Sequence, residues 1–156
     1  MNSTSPLKHV VLAFVISLVG YVAIYYGIEH RRTFRGPWRV TFTNTAAGMP
    51  ELIVNQPQLG IANLRIDFPN DKLPPTNSSG LMIFDTPKPW PYPVPFGQCL
   101  FMDTTFQPGT VTFKLFDHEI ELLPRVLIID RKETPWKSED VILLSGAGVL
   151  QGVPAK

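Results

Sequence analysis

Asp117, His118 and Glu119 place the chain's only histidine beyond residue 30 between two carboxylates, with Asp103 a further acid that folding could bring near. Imidazole beside carboxylate is the material of a metal site or a general acid–base pair. Either needs several converging groups, and only His118 can be identified here, so the pattern reads as a solvated hairpin end. Cys99 lies in the apolar run Cys99-Leu100-Phe101-Met102 and reads as core, not as an activated thiolate. His9 and His30 bracket an apolar segment and could ligate a pigment or haem, but no second ligand and no Cys-x-x-Cys-His motif accompanies them. The glycines of 146–152 imitate a dinucleotide-binding loop, yet only four residues follow, too few for the helix that would hold the phosphates. Metalloprotease, paired Cys-x-x-Cys, phosphate-loop and nucleophile-elbow motifs are missing from the sequence. No catalytic residue, cofactor or metal ligand is expected, and the chain is read as a non-enzyme.

The most unusual stretch is chemical in another sense. In residues 85–97, DTPKPWPYPVPFG, Pro87, Pro89, Pro91, Pro93 and Pro95 fall at every second position, with Trp90, Tyr92 and Phe96 among them. Missing amide donors rule out a central strand, and fixed φ values favour an extended, polyproline-like path with little entropy left to lose on docking. Trp90, Tyr92 and Phe96 are therefore candidate contacts to a partner or ligand. The favoured expectation is nevertheless that the segment wraps its own domain and shields a sheet edge, since a chain of this length needs apolar cover.

These residues need a frame, and its first part is a membrane segment. Residues 10–28, VVLAFVISLVGYVAIYYGI, carry no charge and are long enough, at 1.5 Å per residue, to cross a hydrocarbon core of roughly 30 Å. No Ala-x-Ala cleavage pattern closes the run, so a retained anchor is expected. Tyr21, Tyr25 and Tyr26 gather at its C-terminal end, where amphipathic rings favour the headgroup level. Ala13, Ser17, Gly20 and Gly27 share one helix face, interrupted by Ile24, and mark a candidate helix–helix interface. Arg31, Arg32 and Arg35 follow as candidate headgroup contacts; with Arg39 they outnumber Lys8 on the other side, which predicts the N-terminus outside and the following domain in the cytoplasm.

Charge separates the two parts. The whole chain holds 14 Lys and Arg against 13 Asp and Glu, but Lys8, Arg31, Arg32, Arg35 and Glu29 precede residue 36, leaving ten basic against twelve acidic residues beyond it. A mildly acidic domain without a basic patch excludes nucleic acid as a natural partner. One cysteine permits no internal disulfide, and about 120 residues suffice for a single core without one.

The domain's periodicity is two. Trp38, Val40 and Phe42 alternate with Arg39, Thr41 and Thr43; Leu64, Ile66 and Phe68 with Asn63, Arg65 and Asp67; Val111, Phe113 and Leu115 with Thr110, Thr112 and Lys114. The unbroken apolar runs 126–129 and 141–144 suit central strands, and sixteen prolines with eleven glycines cut the chain into short pieces. The expected fold is mainly β: a single N-terminal transmembrane helix followed by a β-sandwich-like domain of eight or nine strands. Its parts are a polar tail 1–9, helix 10–28, basic linker 29–37, sandwich 38–145 with the proline loop 85–97, and a flexible tail 146–156.

This layout is similar to that of accessory subunits of energy-converting membrane complexes, such as the H chain of photosynthetic reaction centres, in arrangement only and with no shared motif. The expected function is a non-catalytic accessory or assembly subunit of a larger membrane complex, with other integral membrane subunits and lipids as partners. The alternative is an anchored, extracytoplasmic module that binds a glycan or another envelope ligand.

Overall fold

The computed structural model describes residues 6–72, 79–135, 137–146 and 148–153. It divides into two units, 1–34 and 35–156.

The first unit is helix α1, Pro6–Thr33, with no buried residue. It extends the predicted 10–28 segment at both ends, because Leu7 and Lys8 before it and Glu29 to Thr33 after it are compatible with helix once propagation is under way. Glu29 to Thr33 is thus helix and not linker; within it Arg32 reaches Glu29 at 3.5 Å, and His30 meets Phe34 edge-on at 6.0 Å. Tyr21 and Tyr25 stack at 6.4 Å one turn apart. The helix is long and apolar enough to cross a membrane, with a mean hydropathy of 2.2 over its best window.

The second unit is built of two six-stranded sheets. Strands β1 (Trp38–Asn44), β2 (Pro50–Gln56), β3 (Ile61–Asp67) and β4 (Gly80–Phe84) open the first sheet, with a single 3-10 turn, Pro57–Leu59, between β2 and β3. The second sheet is a meander of β5 (Tyr92–Val94), β6 (Gly97–Met102), β7 (Val111–Leu115), β8 (His118–Leu122), β9 (Leu127–Ile129) and β10 (Lys132–Thr134). The chain then returns to the first sheet as β11 (Val141–Ser145) and β12 (Gly148–Val153). The first sheet runs β12-β11-β3-β2-β1-β4; β4 returns beside β1, which makes a Greek key of β1 to β4.

The apolar half of each predicted alternation is buried, although Asp67 and Thr112, expected on the outer face, are buried as well. Trp38, Val40, Phe42, Leu64, Ile66, Phe68, Phe113 and Leu115 have no exposed surface, and Val111 has almost none. Phe42 of the first sheet meets Phe113 of the second and Phe96 of the β5–β6 turn edge-on at 6.2 and 5.6 Å, and Phe84 meets Phe113 at 5.2 Å. The two inner faces therefore form one core, in which each large apolar side chain contributes on the order of 1.5–3 kcal/mol.

Two expectations need correction. Twelve strands are present among the described residues, because pieces as short as three residues pair as β5, β9 and β10. The expected flexible tail 146–156 is strand over Gly148–Val153, antiparallel to β11, since the edge of β11 offers unpaired backbone groups that a following segment can satisfy; residues 154–156 lie outside the described residues. The periodicity left the pairing of β11 open, and in the structure it pairs parallel with β3. Its entry is set by side-chain and backbone bonds: Ser138 Oγ donates to the Gly60 carbonyl and accepts from Ala62 N–H, while Glu139 N–H reaches Ala62 O at 2.8 Å and Arg65 N–H reaches Asp140 O at 2.9 Å.

Candidate interaction surface

The proline segment lies where the chain changes sheets. β4 ends the first sheet and β5 ends the second, so residues 85–91 connect two edges along one side of the sandwich. A crossing between sheets has no ladder partner to bond, which is why Pro87, Pro89 and Pro91 are tolerated there. Pro93 falls inside β5, but β5 is an edge and its outer side needs no donor.

The two halves of the segment behave differently. Trp90 is 53% exposed and its ring stands edge-on against Phe101 of β6, centroids 5.4 Å apart at 74°. Tyr92 is half-buried; its hydroxyl donates to Met102 Sδ at 3.8 Å, and Lys88 Nζ lies 5.4 Å from its ring centre. Burial, with Cys99 alongside, pushes the Tyr92 phenol up from its usual value, so it stays a neutral donor. Burial also raises the Cys99 thiol, whose Sγ donates to Phe101 O at 3.4 Å; this is an unreactive core thiol, as its sequence context predicts. Phe96 is in the core, edge-on to Phe42 and stacked with Phe116 at 5.6 Å, with a left-handed φ of 69°. Phe96 is therefore unavailable as a partner contact: the turn into β6 points its ring inward. Of the three candidate contact residues, Trp90 is exposed, Tyr92 half-buried and Phe96 buried.

Trp90 has neighbours that the sequence did not single out. The loop 103–110 is braced at both ends: Asp103 N–H bonds Thr110 O at 2.8 Å, Asp103 Oδ1 accepts from Thr105 N–H at 2.8 Å, and the buried Trp38 indole donates to Gly109 O at 2.7 Å. Gly109 is required, since a Cβ there would lie 1.5 Å from Asp103 O. Gln107 Nε2 donates to Asp85 O at 3.0 Å, tying this loop to the start of the proline segment. The loop carries Phe106, 55% exposed, and β6 carries Phe101, 40% exposed. Leu81 and Ile83 on β4 are 58% and 46% exposed. One side of the domain thus carries exposed apolar side chains on its edge strand, its connecting arm and the loop bonded to that arm. Exposed aromatics on a braced backbone bind at low conformational cost, and Trp is over-represented among residues that dominate interface energies.

The other predicted residues are placed as follows. Ala13, Ser17, Gly20 and Gly27 are on α1, and a Cβ added at Gly20 or Gly27 meets nothing within 4 Å. Arg31 and Arg32 are in the last turn of α1, while Arg35 begins the β domain. Residues 35–37 are held by a side chain that periodicity alone marks only as a strand end: Gln56 is 1% exposed, and its Nε2 lies 3.2, 2.8 and 3.0 Å from the carbonyls of Arg35, Gly36 and Pro37. Its Oε1 accepts from Gln58 N–H at 2.9 Å.

His118 is not the solvated hairpin end that its sequence context predicts. It is 4% exposed, with its ring beside Phe68 at 6.2 Å, and Nδ1 is 2.7 Å from Asp130 Oδ2. An ionised carboxylate only accepts, so the proton of this bond sits on Nδ1. Asp130 Oδ1 also accepts from Glu119 N–H at 3.0 Å, and Asp130 N–H returns a bond to Glu119 O at 2.9 Å. Asp130 and Arg131 have φ of 50° and 65°, as a tight two-residue hairpin requires. The imidazole thereby pins the β9–β10 hairpin to the start of β8, and neither Asp117 nor Asp103 is its partner. Among the described residues no three His, Cys, Asp or Glu side chains are grouped as a metal would need.

One strained polar pair remains. Glu51 and Asp67 face each other across β2 and β3, each 8% exposed, with Arg65 Nε 3.6 Å from Glu51 Oε1. Among the described residues, the buried Asp67 Oδ1 has no hydrogen-bond partner. Burial first, then the Glu51 charge, raises the Asp67 carboxyl above its ordinary 3.8, against an opposing pull from Arg65.

Comparison of the chain with protein-family models, with curated proteins and with solved structures finds no match.

Proposed function

We propose that this chain is a non-catalytic accessory subunit of a larger membrane protein complex, retained in the bilayer by α1 and docked onto other integral membrane subunits by the aromatic side of its β domain. The observation that carries this reading is Trp90, half exposed and propped by Phe101 on a segment tied down through Asp85 and Gln107. A partner protein gives such a face a reason to stay uncovered by its own chain. In support, α1 has no buried residue, and its open face at Gly20 and Gly27 lets a second helix approach closely. Arg31, Arg32, Arg35 and Arg39 argue for a cytoplasmic domain and for contact with anionic headgroups, on the order of 1 kcal/mol each. Absence of enzymatic activity is proposed because His118 is consumed in a structural bond and Cys99 is a buried neutral thiol.

The test is purification from the source membrane in mild detergent, followed by mass spectrometry. A stoichiometric set of membrane proteins that is lost with Trp90→Ala and Phe101→Ala is the expected result; a chain that comes out alone refutes the proposal. The same exposed Trp90 face also favours a second reading, an extracytoplasmic glycan-binding module. It requires the opposite topology, which reporter fusions to the C-terminus distinguish.

A further inference from the structure

The two sheets end in four edge strands, and three of them carry features that discourage pairing. β5 is three residues long with Pro93 at its centre, β10 is three residues long with Lys132 and Glu133, and β12 pairs with β11 through a shifted register. β4, Gly80-Leu81-Met82-Ile83-Phe84, has none of these: five residues, no charge, no proline and no bulge in its pairing with β1. Its outward-pointing Leu81 and Ile83 are exposed. An edge of this kind is a template for another strand.

We propose that β4 pairs antiparallel with β4 of a second copy of this chain, about a two-fold axis at Met82, so that two six-stranded sheets join into one. The pattern of the strand is complementary to itself in this register. Leu81 stands opposite Ile83 of the second copy and Ile83 opposite its Leu81, so four apolar side chains cover one another on the outer face. Met82 stands opposite Met82. Gly80, already flanked by Phe42 of β1 and with open space where a Cβ would be, stands opposite Phe84 of the second copy, whose ring stays packed edge-on against Phe113 in its own core. No charge meets a like charge, and beyond the strand Asp85 faces Ser79. An isologous contact of this sort closes on itself and leaves no free edge for further growth. Two five-residue strands fall short of the roughly 1,200–2,000 Å² that stable interfaces bury, so pairing depends on confinement of both copies to one membrane. In that respect alone the inference rests on the retained anchor.

The test uses the full-length chain reconstituted in phosphatidylcholine–phosphatidylglycerol vesicles, with intact mass confirming separately that α1 is present. Met82→Cys should give a disulfide-linked dimer under mild copper-phenanthroline oxidation, since facing Cα atoms of paired strands lie within disulfide reach. Gln98→Cys, exposed on the second sheet, should give at least tenfold less. Adding Leu81→Lys and Ile83→Lys to Met82→Cys places charge on both exposed positions and should lower the dimer yield at least tenfold, with tryptophan fluorescence unchanged. Equal linking of Met82→Cys and Gln98→Cys, or a yield untouched by the two lysines, overturns the proposal. So does a dimer that the lysines spare and that Gly20→Leu with Gly27→Leu abolishes, because the helices would then hold it.

Discussion

Gln56 offers the sharpest test of how the chain enters its β domain. The side chain is buried, donates into the carbonyls of residues 35–37 and accepts from Gln58 N–H. An amide NH₂ has two protons, so two of the three carbonyl contacts are full bonds at any moment, and the acceptor bond makes three. At about 1 kcal/mol net per bond, Gln56→Leu should cost about 2–4 kcal/mol, the upper end applying if the freed carbonyls stay dry. With a urea slope of about 1–3 kcal/mol per molar, the unfolding midpoint read from tryptophan fluorescence should fall by roughly 1–2 M. Trypsin should also cut after Arg35 faster in the variant, since nothing else described binds these three carbonyls. Gln56→Glu separates bonding from packing: it keeps the shape and the acceptor but turns a carboxylate oxygen towards three carbonyls. Its carboxyl should be raised in the folded state, so the destabilisation is fully present above that raised value and is relieved as pH falls towards the unfolded value. A Gln56→Leu variant within 0.5 kcal/mol of the parent, or a Gln56→Glu variant with no pH dependence of its own, would refute the clamp.

Two further outcomes follow from the geometry. Asp67 is raised in the folded state, so between its ordinary 3.8 and that raised value the native chain binds more protons than the unfolded one, and stability must fall as pH rises through this window. Asp67→Asn should be more stable than the parent near neutral pH and show a flatter profile in denaturant titrations from pH 4 to 7; an identical slope in both proteins would count against a strained Glu51–Asp67 pair. Gly109→Ala drives a Cβ into Asp103 O, so the loop must move and the Trp38 indole bond to Gly109 O is lost, and unfolding should be easier by about 1 kcal/mol or more, the net worth of a buried hydrogen bond. Thermal unfolding reads this directly, and a change of the tryptophan emission should accompany it.

Much of the architecture was legible in the residues. An uncharged run of the right length predicts α1, and alternation places Trp38, Val40, Phe42, Leu64, Ile66, Phe68, Val111, Phe113 and Leu115 inside, because both signals are local: a helix period or a strand period is written in neighbouring side chains. The proline segment was also recognisable as something other than a central strand. What it does was not, since Trp90 and Phe96 differ by six residues and only the path of the chain sends one ring outward and the other into the core.

The remaining features depend on partners distant along the chain. His118 finds Asp130, twelve residues on, and not the acids beside it, because the β9–β10 hairpin folds back onto the start of β8. Gln56 finds carbonyls about twenty residues earlier, and Trp38 finds Gly109 seventy-one residues later. The sequence by itself determined the helix, the strand faces and the composition of the core. Tertiary structure alone decided the order of strands, the parallel docking of β11 on β3, which edges stay open and which polar groups are satisfied. The physical reason is that side-chain periodicity reports the face a residue turns to the core, whereas pairing across a sheet is chosen among many chain closures of nearly equal entropy and is settled by the whole core at once.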